Sequence, residues 1–312
     1  MTKKIVTLAH YYTIPEVQQL ADRVGDSLDL ALYAANCDAD VIIFAGVRFM
    51  AETAKIINPK ATVILPDMGS TCSLVTMTNI DELAAWRAKY HDYVHVAYIN
   101  SSAEHKALAD YTVTSRNVSD IIAHLYATGQ KVIYSPDRNM GAYLNFTYGY
   151  NMPLWHAICE VHDKFNKTAL DQLMQNTSDP KYLIAHPESP LPVLQAANYI
   201  GSTHGLLNWI KNFDINAKDK AKYVVQNAKI LVATEDGILY NMRQARPELN
   251  IQLAPIYNGC QCNSCPYMKL NTVEAVKQAQ QQQSGSIIDY LSDGLIAKAK
   301  VPIQRMLDFN YI

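Results

Sequence analysis

Three of the six cysteines in this 312-residue chain fall within the six positions CQCNSC, and a proline follows the last of them, Cys265. Thiols clustered this closely in a reducing compartment ligate metal more readily than they form disulfides. A tetrahedral zinc site needs four ligands, and the segment supplies three cysteines with no histidine nearby, so zinc would require a remote fourth. The spacing also departs from ferredoxin runs, in which two residues separate successive cysteines, although the Cys-Pro ending echoes them. Cys72 lies in MGSTC just past an apolar run, and Cys159 lies in LWHAICEVHDKF, so each third of the chain offers a candidate thiolate. An iron-sulfur cluster held by three cysteines leaves one iron open as a Lewis acid toward a hydroxyl or carboxylate. A fourth thiolate from Cys260 or Cys262 would close it and make an electron carrier. Cys37, after LALYAAN, reads as a small buried hydrophobe on a helix face.

Acid-base and anion-binding residues recur at the ends of apolar runs, where open parallel sheets hold their ligands. His10 ends IVTLAH, and His186 and Glu188 in AHPES stand two apart, an acid-base pair suited to dehydration and tautomerisation. Tyr98 and Asn100 end HVAYIN two apart, which puts both side chains on one face of a strand. Asp26 and Ser27 in VGDSLDLA, and Ser202 and Thr203 in GSTHG, open helical patterns. Hydroxyls and N–H groups there either cap a helix or bind an oxyanion; we expect Ser27 to touch substrate with Asp26 in support. His162, three residues past Cys159, reads as a supporting group, as do Thr234 and Glu235 in ATEDG.

These residues need a scaffold, and the scaffold is written as alternation. IVTLAHYY precedes PEVQQLADRV, DVIIFAG precedes FMAETAKIIN, and ATVILPD, VHVAYIN, KVIYSPD, YLIAHPE and KILVATE each read as further strands among helices such as DELAAWRAKY and GILYNMRQA. Such alternation predicts a parallel α/β sheet. Pro15 suits a first helical turn, Ser27 and Ser102 suit helix caps, and Asn271 is expected to cap the final helical stretch. PDMGS, PDRNMG and HPESP place a proline and an acid at strand ends, which suggests three similar α/β domains with a period of about 100 residues, a usual domain size. We expect domains at 1–82, 83–168 and 169–271, with 272–312 packing back on the first. KQAQQQQSGS reads as a solvated helix end passing into a joint.

Composition narrows the partners. With 27 Lys plus Arg against 29 Asp plus Glu, nothing favours nucleic acid or a membrane surface. The opening MTKKIVTLAHYY is too short in its apolar part for a signal peptide, and no apolar stretch is long enough to span a bilayer, so a cytoplasmic location is expected.

Taken in order, LAHYYTIPEVQQLADRVGDSLDLA, FAGVRFMAETAKI, LPDMGSTCSL, VAYINSSAEHKA, PDRNMG, CEVHDKF, AHPES, GSTHG, ATEDGILY and CPYMKLNT make the chain resemble the quinolinate synthase family over nearly its whole length. The resemblance implies three similar three-layer α/β/α domains in a pseudo-threefold arrangement around a central 4Fe-4S cluster, ligated by Cys72, Cys159 and Cys265. Cys260 and Cys262 would then be extras. It also implies a transferase of de novo NAD biosynthesis that condenses iminoaspartate with dihydroxyacetone phosphate to quinolinate, losing phosphate and two waters, in functional coupling to aspartate oxidase. The open iron would assist dehydration, and its exposure implies oxygen sensitivity. Carried over residue by residue, His10 and Tyr12 bind the anionic substrate and assist proton transfer, and Ser115 holds its phosphate or carboxylate end; Ser27 and Thr203, at helix starts, are expected beside them to donate to anionic groups. Tyr98 and Asn100 line the active site, His186 carries a proton, and Glu188 is a base. Arg116 departs from the small residue expected beside Ser115, and we expect it to point outward.

Overall fold

A computed structural model describes residues 3–175, 181–213, 228–256, 263–282 and 285–309. The chain divides into two compact units, Met1–Cys159 with Pro266–Ile312, and Glu160–Cys265. In the first unit lie β1 (Ile5–His10), β2 (Arg23–Gly25), β3 (Val41–Ala45), β4 (Thr62–Leu65), β5 (Val94–Tyr98), β6 (Tyr111–Val113) and β7 (Val132–Ser135). The second unit carries β8 (Lys181–Ala185), β9 (Tyr199–Ile200), β10 (Lys229–Ala233) and β11 (Asn250–Leu253), and β12 (Ser286–Ile287) returns to the first. The sheets run β12-β4-β3-β1-β2, β6-β5-β7 and β11-β10-β8-β9, parallel throughout except for β12.

One order recurs in all three: the first strand is flanked by the second on one side and the third on the other. Among the described residues the middle sheet has three strands, and Leu154 bridges Tyr134 in parallel where a fourth would lie. The same local device starts each second strand. Asp22, Asp110 and Asn198 stand one residue before β2, β6 and β9, and each donates its backbone N–H to the neighbouring strand, at Thr7, His95 and Leu183. In return the side-chain oxygen accepts the N–H of the same residue at 2.7, 2.7 and 2.8 Å. An Asx side chain thus supplies the bond that a longer strand would have made.

That device corrects one sequence expectation. PEVQQLADRV forms a helix only over Pro15–Gln18, with Pro15 in its first turn, and then turns into β2. Gln18 Nε2 donates to the carbonyls of Tyr11 and Thr13 and closes the turn, and Asp22 draws the chain beside β1. The three proline-acid motifs are also out of phase with the topological repeat, since they follow β4, β7 and β8, which hold different places in their sheets. Asp26 caps the helix Ser27–Asn36, whereas Ser27 is its first residue. Ser102 caps Ala103–Ala107 as expected. Thr272, in place of Asn271, caps Val273–Gln282 through Ala275 N–H at 3.2 Å. Asn271 instead donates to Gly46 O. Cys37 lies just past its helix, half-buried, with its thiol near Ala34 O.

Helix Val273–Gln282 lays Val276 on Ala9, Val17 and Ala45, and Ala279 on Val41, Ile43 and Ile64. Tyr290 then donates to the buried Glu52 carboxylate at 2.7 Å, whose other oxygen accepts Ala103 N–H at 3.1 Å. Among the described residues no helix is long and apolar enough to cross a membrane.

The middle sheet is pinned by two buried histidines around one hydroxyl. Ser135 Oγ lies 2.7 Å from His95 Nε2 and 2.6 Å from His105 Nε2, and His95 Nδ1 lies 3.1 Å from Leu108 O. A carbonyl can only accept, so His95 carries its proton on Nδ1, Ser135 donates to Nε2, and His105 Nε2–H donates to Ser135. Burial holds His95 down to about 4 and His105 well below its ordinary range. The unfolded chain therefore binds more protons as the pH falls from about 6.5 to about 4, and the fold loses stability through that window, on the order of 3 kcal/mol from His95 alone. Urea midpoints at pH 7 and pH 4.5 should show this loss, and His105→Gln, which keeps a donor to Ser135, should make it smaller by the share of His105 while leaving that of His95. An equal loss in the two proteins would mean that His105 is charged in the fold.

Candidate active site

Apart from the cysteines and His162, which opens a short 3-10 helix, the residues singled out for chemistry lie at or just past the carboxyl ends of parallel strands. Two histidines are prepared by the same turn. At the end of β1, His10 Nδ1 accepts the N–H of Tyr12 at 3.2 Å, and Thr13 N–H closes on His10 O at 3.0 Å. After β8, His186 Nδ1 accepts the N–H of Glu188 at 3.4 Å, and Ser189 N–H closes on His186 O at 2.9 Å. Each neutral ring is thereby set as the Nε2–H tautomer, a donor suited to an anion. Tyr12 packs edge-on against His10 at 4.6 Å, and its carbonyl accepts from Lys269 at 2.9 Å.

In the first unit, Ser27 opens its helix beside the cap Asp26, and Ser115 stands in the turn after β6. Tyr98 ends β5, buried, and its carbonyl accepts from Ser101 Oγ at 2.8 Å. Asn100 Oδ1 is buried with no hydrogen-bond partner among the described residues, as a group reserved for a ligand would be. Arg116 does not follow the expectation that it points outward: Nη2 lies 2.7 Å from Asp26 Oδ2. The Cys72 and Cys159 loops adjoin, because Ser73 Oγ donates to Ile158 O at 3.2 Å. Lys106, fully buried, is lowered to about 7 by that burial, while Glu52, Glu104 and Cys72 pull the other way.

In the second unit the His186–Glu188 pair gains a third member. His162 Nδ1 lies 3.0 Å from Glu188 Oε2, and its Nε2 lies 3.0 Å from Thr234 Oγ1. His186 Nδ1 is 3.8 Å from Glu188 Oε1, beyond a hydrogen bond. His162, which sequence reasoning kept in a supporting role, is thus the direct partner of the expected base; the Cys-x-x-His spacing after Cys159 was the available signal. Ser202 caps Thr203–Lys211, with Thr203 as first residue, in the same relation that Asp26 and Ser27 have.

Cys72 and Cys159 in the first unit and Cys265 in the second are each half-buried thiols, and thiolate is the soft donor type that an iron-sulfur cluster takes. Cys265 is fixed by its backbone: buried Glu235 accepts Cys265 N–H at 2.9 Å with one oxygen and Gly237 N–H at 2.6 Å with the other. Cys260 and Cys262 lie outside the described residues. Glu235→Gln would turn an amide donor toward one of those N–H groups and should destabilise the protein by about 1 to 3 kcal/mol. Ser264→Ala, at an exposed neighbour, should change it by less than about 0.5 kcal/mol. Urea midpoints compare the two, and an unshifted Glu235→Gln would show that its carboxylate does not hold the Cys265 loop.

The family model described as quinolinate synthetase A protein matches residues 1–308. Quinolinate synthase of Microcystis aeruginosa is 42% identical over 305 residues, covering 98% of this chain and 91% of that one. The Synechocystis enzyme of the same name is 42% identical over 302 residues, covering 97% and 90%. That of Cyanophora paradoxa is 38% identical over 305 residues, covering 98% and 88%. The chain belongs to the quinolinate synthetase A family.

Proposed function

We propose that the protein is a quinolinate synthase, a transferase that condenses iminoaspartate with dihydroxyacetone phosphate to quinolinate with release of phosphate and two waters. The observation that carries this reading is the family match over residues 1–308. Its motifs fall on the strand ends that present His10, Tyr98, Asn100, His186 and Glu188. Cys72, Cys159 and Cys265 would hold a 4Fe-4S cluster, which when bound supplies an open iron as Lewis acid for dehydration.

The chain's own residues do the rest. His10 and His186 donate Nε2–H to the carboxylates of the substrate, and Ser27, Ser115 and Thr203 donate hydroxyls to its anionic ends. Two of those three are first residues of helices, where N–H groups add to the attraction. Glu188 takes protons during tautomerisation, and His162 steadies its charge through Nδ1–H. Tyr12 and Tyr98 orient substrate and pass protons from their hydroxyls. The recurring strand order supports three similar domains, and their arrangement about a pseudo-threefold axis is part of the proposal. A cytoplasmic location and supply of iminoaspartate by aspartate oxidase complete the reading.

Protein purified without oxygen should be brown and should form quinolinate from iminoaspartate and dihydroxyacetone phosphate; air should bleach both colour and activity. Brown protein that makes no quinolinate would point to a carrier, and colourless protein containing one zinc would point to a metal-stabilised binding protein. Either result overturns the assignment.

A further inference from the structure

Ser27 and Ser115 stand 88 positions apart, one opening a helix after β2 and the other in the turn after β6, strands of different sheets, yet the residues beside them are joined. Asp26 divides its carboxylate between two tasks. Oδ1 accepts Asp29 N–H at 3.0 Å and closes the first turn of the helix Ser27–Asn36. Oδ2 accepts from Arg116 Nη2 at 2.7 Å and Nε at 3.2 Å. The Asp26 side chain is 8% exposed and that of Arg116 28%, so water screens the pair only in part.

The Arg116 end is equally well held. Its backbone N–H donates to Thr114 Oγ1 at 3.3 Å, and Thr114 donates from both N and Oγ1 to Asn117 Oδ1 at 2.7 and 3.1 Å. The turn therefore has fixed geometry before the helix Val118–Ala127 begins. Each partner of the ion pair is adjacent in sequence to one of the two serines.

Charge gives the pair a second role. The start of helix Ser27–Asn36 carries two carboxylates, Asp26 and Asp29, where an incoming anion would meet repulsion. Arg23 pairs with Asp29 through Nη2 at 2.5 Å and Nε at 2.8 Å, and Arg116 pairs with Asp26. Tyr11 and, beside Arg23, Tyr33 are the other titratable groups there, and burial followed by the two carboxylates pushes the Tyr11 hydroxyl up, so it stays neutral. Arg116 is therefore the single cation that cancels Asp26 among these groups.

We propose that Arg116 is a positioning residue for the substrate-anion site: its ion pair with Asp26 fixes the spacing between Ser27 and Ser115 and removes the Asp26 charge that would repel a carboxylate or phosphate there. This rests on the assignment of Ser27 and Ser115 to substrate binding. Arg116 does not touch the anion; it makes two loops of different sheets act as one receptor.

The test is a set of KM and kcat values for both substrates in the cluster-loaded enzyme, with urea midpoints and calorimetric binding of quinolinate as readouts independent of turnover. Asp26→Asn keeps the helix cap, because Asn caps as well as Asp. Arg116→Met should raise KM for one anionic substrate and Kd for quinolinate by about tenfold, through repulsion from the bared Asp26 carboxylate and a displaced serine, while kcat moves less than about threefold. Adding Asp26→Asn to Arg116→Met should lower KM again, since it removes the unpaired carboxylate. Arg116→Lys should recover part of the binding, without the fork of a guanidinium. A merely structural role predicts a lower urea midpoint with KM unchanged and no rescue by Asp26→Asn, and that pattern overturns the proposal. Ser27→Ala and Ser115→Ala separate the two levels. If they raise KM and Arg116→Met does not, the clasp alone is wrong; if they leave KM and Kd untouched, the serine assignment is wrong and the proposal falls with it.

Discussion

Parallel register is the constraint on which the candidate site depends. In a parallel sheet every carboxyl end points the same way, so chemistry written at scattered positions is gathered on one edge without further instruction. Here His10 pairs across from Gly25, Tyr98 from Val113, and Ala185 from both Ile200 and Ala233. The next residues along these chains are Asp26 and Ser27, Thr114 and Ser115, His186, Gly201 to Thr203, and Thr234 with Glu235. A slip of one residue in any pair would move a hydroxyl or imidazole by a strand step of about 3.3 Å and turn it to the other face. The Asx residues before β2, β6 and β9 oppose such a slip, because each makes two bonds to a single residue of the neighbouring strand.

Buried charge follows the same economy. Asp26, Glu52, Glu188 and Glu235 are buried, and each has at least one N–H, O–H or imidazole donor. An unpaired buried carboxylate would cost several kcal/mol, so these residues are also the joints of the structure. Glu235 secures a cysteine loop, Asp26 a helix start, and Glu52 the returning C-terminal segment.

Long apolar strands were legible in the sequence because β1, β3, β4, β5, β7, β8 and β10 are rich in Val, Ile, Leu and Ala. The short flanking strands were not. β2, β6, β9 and β12 span two or three residues, and what makes them strands is a side-chain bond or a neighbour far away in sequence. The candidate site was legible as residue types at strand ends, and the structure puts His10, Tyr98, His186 and Glu188 at or just past those ends, while the roles given to them rest on the family resemblance. Partnerships were not legible. That His162 bonds Glu188, or that Arg116 reaches Asp26 across 90 positions, depends on packing that no local pattern records.

The central claim is that cysteines from three distant loops, and not the local CQCNSC knuckle, hold one cluster. Iron and sulfide analysis of anaerobically purified Cys72→Ser, Cys159→Ser and Cys265→Ser, beside the double variant Cys260→Ser with Cys262→Ser, tests it most directly. The account predicts about four irons per chain in the double variant and almost none in each single one. Loss of iron from the double variant, or full retention in Cys72→Ser, would contradict it.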